Sequence, residues 1–311
     1  MSKVLKLEYI KQLCRSLNCI TLQSLKFTRE MDIKRKPDWL KISLPHGSNY
    51  LQVKQIVSNH GLHTICSSGK CPNIGECWGI GTATFMILGD ICTRSCKFCA
   101  TRTGKPFPVD PEEPTRLAES VKLMGLKHVV ITSVDRDDLE DGGASTWASV
   151  IYSVKNKNPD ITIEVLIPDF DNRVELIQLI ADAQPDIISH NIETVERLTP
   201  YIRSRANYKT SLDVIRKIVV SRRVSKSGIM LGLGETIDEI YKTMDDLVAA
   251  GCEIFTMGQY LQPTKDHFEV AEYIQPDEFY RLKIEGLRRG FRIVESAPLV
   301  RSSYHAETHI C

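Results

Sequence analysis

The sequence predicts an α/β protein whose body is an open, TIM-like partial (β/α)6 barrel, with a cysteine-rich extension before it and a short tail after it. Three observations carry that expectation. From residue 83 onward, short β-branched runs alternate six times with helical patterns, as successive βα units of a parallel sheet do. The 311 residues suffice for one barrel-sized catalytic body with appendages and do not demand two large domains. Six units are too few to close an eight-stranded barrel, so the sheet should stay open.

The strands are expected at 83–89, 128–134, 161–167, 187–192, 228–233 and 253–260. Between and after them, amphipathic stretches near 114–125, 144–157, 172–183, 209–221, 236–250 and 276–289 are long enough for helices, and many open on Asp, Ser, Thr or Pro. Residues 1–30 read as an extension segment, with a second start-like residue at Met31. Residues 31–82 have little periodicity and many Gly, Pro and Cys, as befits a segment ordered around a cofactor. The barrel then spans 83–290, and 291–311 form a carboxy-terminal segment.

Composition narrows the class. A net charge of +1 argues against a generic nucleic-acid binder, which usually carries a basic excess. No apolar run is long enough to span a bilayer, and residues 1–30 lack the apolar core of a secretory signal, so no membrane partner is expected and the expected address is the cytoplasm. The basic balance of residues 1–30 leaves a mitochondrial presequence as the lesser alternative. In a reducing compartment, ten cysteines point to metal binding, catalysis or simple burial rather than to disulfides.

Six of the ten form two triads: Cys66, Cys71 and Cys77 with spacing C-x4-C-x5-C, then Cys92, Cys96 and Cys99 with spacing C-x3-C-x2-C. A closed zinc site needs four protein ligands, and no fourth Cys or His sits at zinc spacing beside Cys92, Cys96 and Cys99. Three thiolates on a [4Fe-4S] cluster instead leave one iron open for another ligand. Cys14, Cys19, Cys252 and Cys311 have no partner at useful spacing and read as structural. The motifs fall where a partial barrel does its chemistry, at the carboxyl ends of strands. Cys92, Cys96 and Cys99 follow the first strand, Ser133 to Asp138 the second, Asn191 and Glu193 the fourth, Gly232 to Glu235 the fifth, and Gln259 to Leu261 the sixth.

Cys92-Thr-Arg-Ser-Cys96-Lys-Phe-Cys99 resembles the cluster loop of the radical S-adenosylmethionine (SAM) superfamily, with Phe98 able to shield the cluster from water. Several further motifs occur in order: Cys66-Ser-Ser-Gly-Lys-Cys71-Pro-Asn-Ile-Gly-Glu-Cys77-Trp78, Val134-Asp-Arg-Asp-Asp138, Asp141-Gly-Gly143, His190-Asn-Ile-Glu-Thr194, Met230-Leu-Gly-Leu-Gly-Glu235, Gly258-Gln-Tyr-Leu261 and Arg301-Ser-Ser-Tyr-His305. With them the chain is similar to the lipoyl synthase family from about residue 34 to 307. Glu140 departs from the family's pattern, which has a proline there.

The resemblance implies a radical SAM partial barrel and two [4Fe-4S] clusters. At the cluster of Cys92, Cys96 and Cys99, the open iron would chelate the amino and carboxylate groups of SAM, and one electron would split the sulfonium into methionine and a 5′-deoxyadenosyl radical. The triad Cys66, Cys71 and Cys77 would hold an auxiliary cluster whose fourth ligand is Ser303, preferred over Ser302 by its place in the motif. An alkoxide is a hard ligand on a soft site and the one most easily displaced when sulfide is given up. The implied activity is lipoyl synthase chemistry: sulfur insertion at C6 and C8 of a protein-bound octanoyl-lysine, consuming two SAM and the auxiliary cluster. Implied partners are an octanoylated lipoyl carrier domain or glycine-cleavage H protein, a ferredoxin or flavodoxin electron donor, and an iron-sulfur cluster delivery protein.

For SAM itself, Gly232 and Gly234 offer bare backbone near an adenine or ribose, although such a pair often marks only a turn. Asn191 and Glu193 point the same way and could hold ribose hydroxyls or the methionine amine. Arg203 could pair with the methionine carboxylate or form an ordinary salt bridge. Ser133 and Asp135 are assigned to the methionyl end, whereas Arg136, Asp137 and Asp138 could equally form a loop network of ion pairs. The histidines, His190 included, show no metal spacing. Lys34, Arg35, Lys36 and Lys41 could steer an acidic carrier or be a solvated basic arm. The rival readings are a biotin synthase-like enzyme, a methylthiotransferase and a zinc-binding interaction module. The upstream triad with Trp78 speaks against the first, and the lack of a further RNA-binding domain after residue 307 speaks against the second.

Overall fold

The sheet sets the site. The computed structural model describes residues 36–42, 45–79, 83–304 and 306–309. Expectations for residues 1–30, Met31, Lys34, Arg35, Cys14, Cys19, His305 and Cys311 lie outside them. The chain divides into two units, Met1–Lys36 and Pro37–Cys311, and the described elements all belong to the second.

In that unit, β1 (His63–Thr64) pairs antiparallel with β2 (Thr84–Ile87). From β2 the sheet runs in parallel through β5 (His128–Ser133), β6 (Thr162–Leu166), β7 (Ile187–Ser189), β8 (Val224–Leu231), β9 (Ile254–Gln259) and β10 (Ile293–Ser296). β1 and β10 are the two ends of this strand order, so the sheet is open. A short parallel ribbon of β3 (Ile91–Cys92) and β4 (Arg102–Thr103) stands apart from it.

All six expected strands are present, and Ile293–Ser296 adds a seventh parallel one. Only Val294 of its four residues is fully buried, too little apolar periodicity for a sequence signal. β8 also begins four residues earlier than its apolar run suggests, because Ser225, Lys226 and Ser227 are buried in spite of their polarity. β2 and β5 show the opposite behaviour, since their near-continuous burial is that of a parallel strand covered on both faces.

The helices α4 (Glu113–Leu123), α5 (Ala144–Lys157), α6 (Val174–Asp182), α8 (Tyr208–Val220), α9 (Ile237–Ala249) and α10 (Pro276–Arg289) alternate with these strands, and a single turn, α7 (Thr199–Ile202), follows β7. α9 starts with a reciprocal capping box between Thr236 and Glu239, which satisfies two otherwise orphaned amides. Ahead of the barrel lie α1 (Ser48–Asn59), α2 (Ile65–Ser68) and α3 (Ile74–Gly79), with Trp78 of α3 stacked on Tyr50 of α1 at 5.3 Å. Phe85, Ile87, Ile131, Ile163, Val165 and Trp147 are among the completely buried core residues. Among the described residues, no helix is long and apolar enough to cross a membrane.

Candidate active site and the two cysteine triads

The ribbon after β2 carries Cys92, Cys96 and Cys99, and the loop between its strands is gripped from several strand ends. Thr93 N donates to Asp135 O after β5 (3.1 Å), Lys97 N to Ile202 O after β7 (2.7 Å), and Phe268 N, after β9, to Lys97 O (2.9 Å). Ser95 N donates to Ser204 Oγ (3.1 Å), and His267 Nε2 donates to Cys99 O (2.9 Å). Inside the loop, Arg94 is buried and forks onto two carboxylates, Asp137 (2.8 and 2.9 Å) and Asp169 (2.8 and 2.9 Å). Asp135 lies 3.3 Å from the same guanidinium. A planar fork holding carboxylates from the ends of both β5 and β6 ties the loop to the barrel mouth.

Burial pushes the Cys92 thiol up to about 12, and the charges of Asp135 and Cys99 add to the effect. Cys99 is raised by burial and further by Cys96 and Glu193. These influences place the three sulfurs and Glu193 in one neighbourhood. Cys96 Sγ lies 3.7 Å from Ser204 Oγ.

The residues assigned to SAM divide. Ser133 Oγ at the end of β5 and Asn191 Oδ1 after β7 are buried and without a hydrogen-bond partner among the described residues. Such orphaned polar atoms suit a bound polar ligand. Asn191 lies close enough to the Glu193 carboxyl to offset part of the rise that burial gives it. Glu193 adopts a left-handed backbone (φ 67°) while bridging to Ile229, so this corner is built rather than loose. Arg203 makes no ion pair among the described residues. Its Nη1 donates to Ser211 Oγ (2.7 Å), and Ser211 hydrogen-bonds His190 Nε2 (3.0 Å). The other ring nitrogen donates to Ile167 O (3.0 Å). Burial, and then the charge of Arg203, lower His190 to about 4, so it is a neutral relay orienting Arg203.

Two assignments change. Asp135 faces Arg94 and Cys92, its amide donating to Cys92 Sγ (3.3 Å), and so backs the cysteine loop. At Gly232 (φ 95°), a Cβ would stand 2.3 Å from both Gln259 Nε2 and Glu272 O, so the protein itself fills the space. Gly234 (φ 102°) meets only Ala271 Cβ at 3.6 Å and is required by its backbone. Arg136 and Asp138 form an ion pair at 2.8 Å, and Asp137 joins Arg94, as the network reading has it.

The upstream triad is assembled from α2, the turn after it and α3. Cys71 N donates to Cys66 O (3.0 Å), and Cys77 N to Asn73 O (2.9 Å). Burial raises all three thiols, with their mutual charges adding at Cys71 and Cys77 and the latter reaching about 12. Thr84 and Trp78 lie against the Cys66 sulfur and offset part of its rise. Thr84 Oγ1 in turn donates to Ser303 Oγ (2.8 Å). The tail is fastened here by Asn73 Nδ2 to Leu299 O (2.8 Å) and Tyr304 Oη to Glu76 Oε1 (3.1 Å). Arg301 is close enough to Cys71 to lower its rise. Ser302 turns elsewhere and accepts from Asn191 Nδ2 (3.0 Å).

Neither triad closes on one point. Among the described residues, no three His, Cys, Asp or Glu side chains are placed to hold a single metal ion. Three thiolates are the donor set of a [4Fe-4S] cluster in which each sulfur binds a different iron and the fourth iron stays open. Cys252 is buried with its Sγ on Ile254 O (3.3 Å), a structural role. Arg94, Asp169, Ser204, His267 and Thr84 were not legible as site residues. Arg94 alone carried a signal, by lying inside the cysteine loop.

Residues 86–247 match the family model of the radical SAM superfamily, and residues 16–71 match that of the N-terminal domain of lipoyl synthase of the radical SAM family. A lipoyl synthase of Phocaeicola vulgatus is 63% identical over 280 residues, covering 90% of this chain and 99% of that protein. The chain belongs to the lipoyl synthase family. A lipoyl synthase of Treponema denticola is 58% identical over 277 residues, covering 89% of this chain and 96% of that one. Among solved structures, methylornithine synthase (TM-score 0.51, 12% identity, 81% of this chain and 83% of that chain) shares the fold. So does Streptococcus suis SuiB bound to the precursor peptide SuiA (TM-score 0.55, 10% identity, 94% and 61%). Family membership makes the chain a radical SAM enzyme and implies a [4Fe-4S] cluster and SAM.

Proposed function

We propose that this enzyme converts an octanoyl-lysine of a carrier protein into lipoyl-lysine, inserting sulfur at C6 and C8 with sulfide drawn from a second, auxiliary [4Fe-4S] cluster. The observation that carries this reading is Thr84, which touches both Cys66 and Ser303 and so gives the upstream triad a neighbouring non-cysteine oxygen from the far end of the chain.

Cys92, Cys96 and Cys99 would hold the cluster that binds SAM, and Cys66, Cys71, Cys77 and Ser303 the auxiliary one. When bound, these groups supply a primary alkyl radical able to remove unactivated hydrogen atoms, and sulfide to replace them. The chain's own residues bind and orient. Ser133, Asn191, Glu193 and Arg203 would seat SAM, with Arg203 presented as a fork by Ser211 and neutral His190. The Arg94 clamp keeps the cysteine loop at the barrel mouth. The substrate is assigned to an octanoylated lipoyl carrier domain or glycine-cleavage H protein. A ferredoxin or flavodoxin would supply electrons, an iron-sulfur delivery protein would rebuild the auxiliary cluster, and the cysteine usage suits a reducing cytoplasm.

Anaerobic reconstitution with iron and sulfide counting tests the division of labour. Replacing Cys92, Cys96 and Cys99 by Ala should remove one cluster and abolish SAM cleavage. Replacing Cys66, Cys71 and Cys77 by Ala should remove the other, leaving cleavage without thiolated product. Sulfur insertion by the second variant would overturn the reading.

A further inference from the structure

Beyond Ser303 the chain continues into the barrel. Ala306–His309 form a 3-10 turn whose end residues are both buried, and His309 Nδ1 lies 3.3 Å from Lys226 Nζ. Lys226 of β8 and Glu164 of β6 are both 0% exposed. Lys226 Nζ donates to the two Glu164 oxygens at 2.7 and 2.8 Å, and Ser189 of β7 donates to Glu164 Oε1 at 3.0 Å.

Stability is a poor reason for such a pair. Desolvating two ions costs about several kcal/mol each, and apolar replacements of similar volume are often neutral or better. Geometry supplies a different reason. A lysine ammonium has three N–H donors and no acceptor. Two serve Glu164, and the third finds its acceptor on the tail, at His309 Nδ1. Without that acceptor, a charged donor would be left unsatisfied inside the barrel, a costly arrangement. The segment before His309 is held at its other end too. Gln259 N donates to Pro298 O (3.1 Å), and a Cβ at Gly258 would stand 2.0 Å from Val300 O, so tail and β9 are in close contact. Ser302 and Ser303 lie between these two attachments, each touched by one side chain, Asn191 and Thr84, and followed by the Tyr304–Glu76 hydrogen bond.

We propose that the buried Lys226–Glu164 pair is the docking post of the carboxy-terminal segment, and that His309 is a positioning residue whose seating on it sets Ser303 beside Thr84 and the upstream triad. This rests on the assignment of Ser303 to the auxiliary cluster.

The test uses the full-length, anaerobically reconstituted enzyme with His309→Ala, and His309→Gln, whose side-chain oxygen can still accept from Lys226. Three quantities are read: the rate of tryptic cleavage after Arg301, iron retained at the upstream triad, and SAM cleavage against two-sulfur product. His309→Ala should speed cleavage after Arg301 by about tenfold or more, the factor that one hydrogen bond to a charged group represents. It should also lower upstream iron and product while SAM cleavage persists, which shows that the barrel is folded. His309→Gln should restore most of the protection. Unchanged protection in His309→Ala would overturn the docking post. A freed tail with full two-sulfur product would overturn the positioning role, and it would point to failure of the Ser303 assignment rather than of the contact.

Discussion

Arg94→Met is the most informative single change at the barrel mouth. Burial favours the neutral form of Asp169, but the hydrogen bonds and charge of Arg94 more than offset it and bring the carboxyl from 3.8 to about 2. A carboxyl drawn down that far contributes about 2.5 kcal/mol. Because the folded value lies below the unfolded one, the contribution is complete above about pH 4 and is lost as pH falls toward 2. Asp137 is lowered by the same guanidinium and loses part of its support as well. A loss of about 2.5 kcal/mol should lower the melting temperature by about 4 °C, because an unfolding entropy of about 2.1 cal/mol/K per residue over 311 residues gives roughly 1.5 °C per kcal/mol. Thermal denaturation followed by circular dichroism at pH 7 reads it, and the gap from wild type should narrow at pH 3. Adding Asp169→Asn should recover part of the loss, since no buried carboxylate then stands without its cation. A melting temperature unchanged by Arg94→Met, or costs of the two substitutions that simply add, would refute the clamp.

Ser303→Cys should keep the auxiliary cluster and SAM cleavage but stall before or after the first sulfur. Ser303→Ala should hold that cluster less securely, and Ser302→Ala should be milder; mass spectrometry of an octanoyl-lysine peptide after a single turnover separates these, because each sulfur adds mass. Gly258→Ala would set its Cβ 2.0 Å from Val300 O, so it should displace the tail and lower lipoyl formation more than SAM cleavage, checked by assaying both products on one sample. Charge reversal at Lys34, Arg35, Lys36 and Lys41 should raise KM for the octanoylated carrier most at low salt; no salt dependence would remove the steering idea.

The sequence by itself determined the class of chemistry. Two cysteine triads of fixed spacing require only local chain, and six β-branched runs alternating with amphipathic stretches require only local periodicity, so both are legible without coordinates. It also put Ser133 at the end of its strand and Asn191, Glu193 and Gly234 in the loops just after theirs. Tertiary structure decided everything that depends on pairs far apart along the chain. Asp169 meets Arg94 across 75 positions, and Ser303 meets Thr84 across 219. Lys226 lies outside the strand the sequence predicts, and only the fold brings Glu164 and His309 around it. The role of Gly232 reversed for the same reason, since the atoms that fill its missing Cβ belong to Gln259 and Glu272. Periodicity and spacing record what a segment needs for itself, whereas a buried charge or a close backbone approach is satisfied only by the partner that folding brings to it.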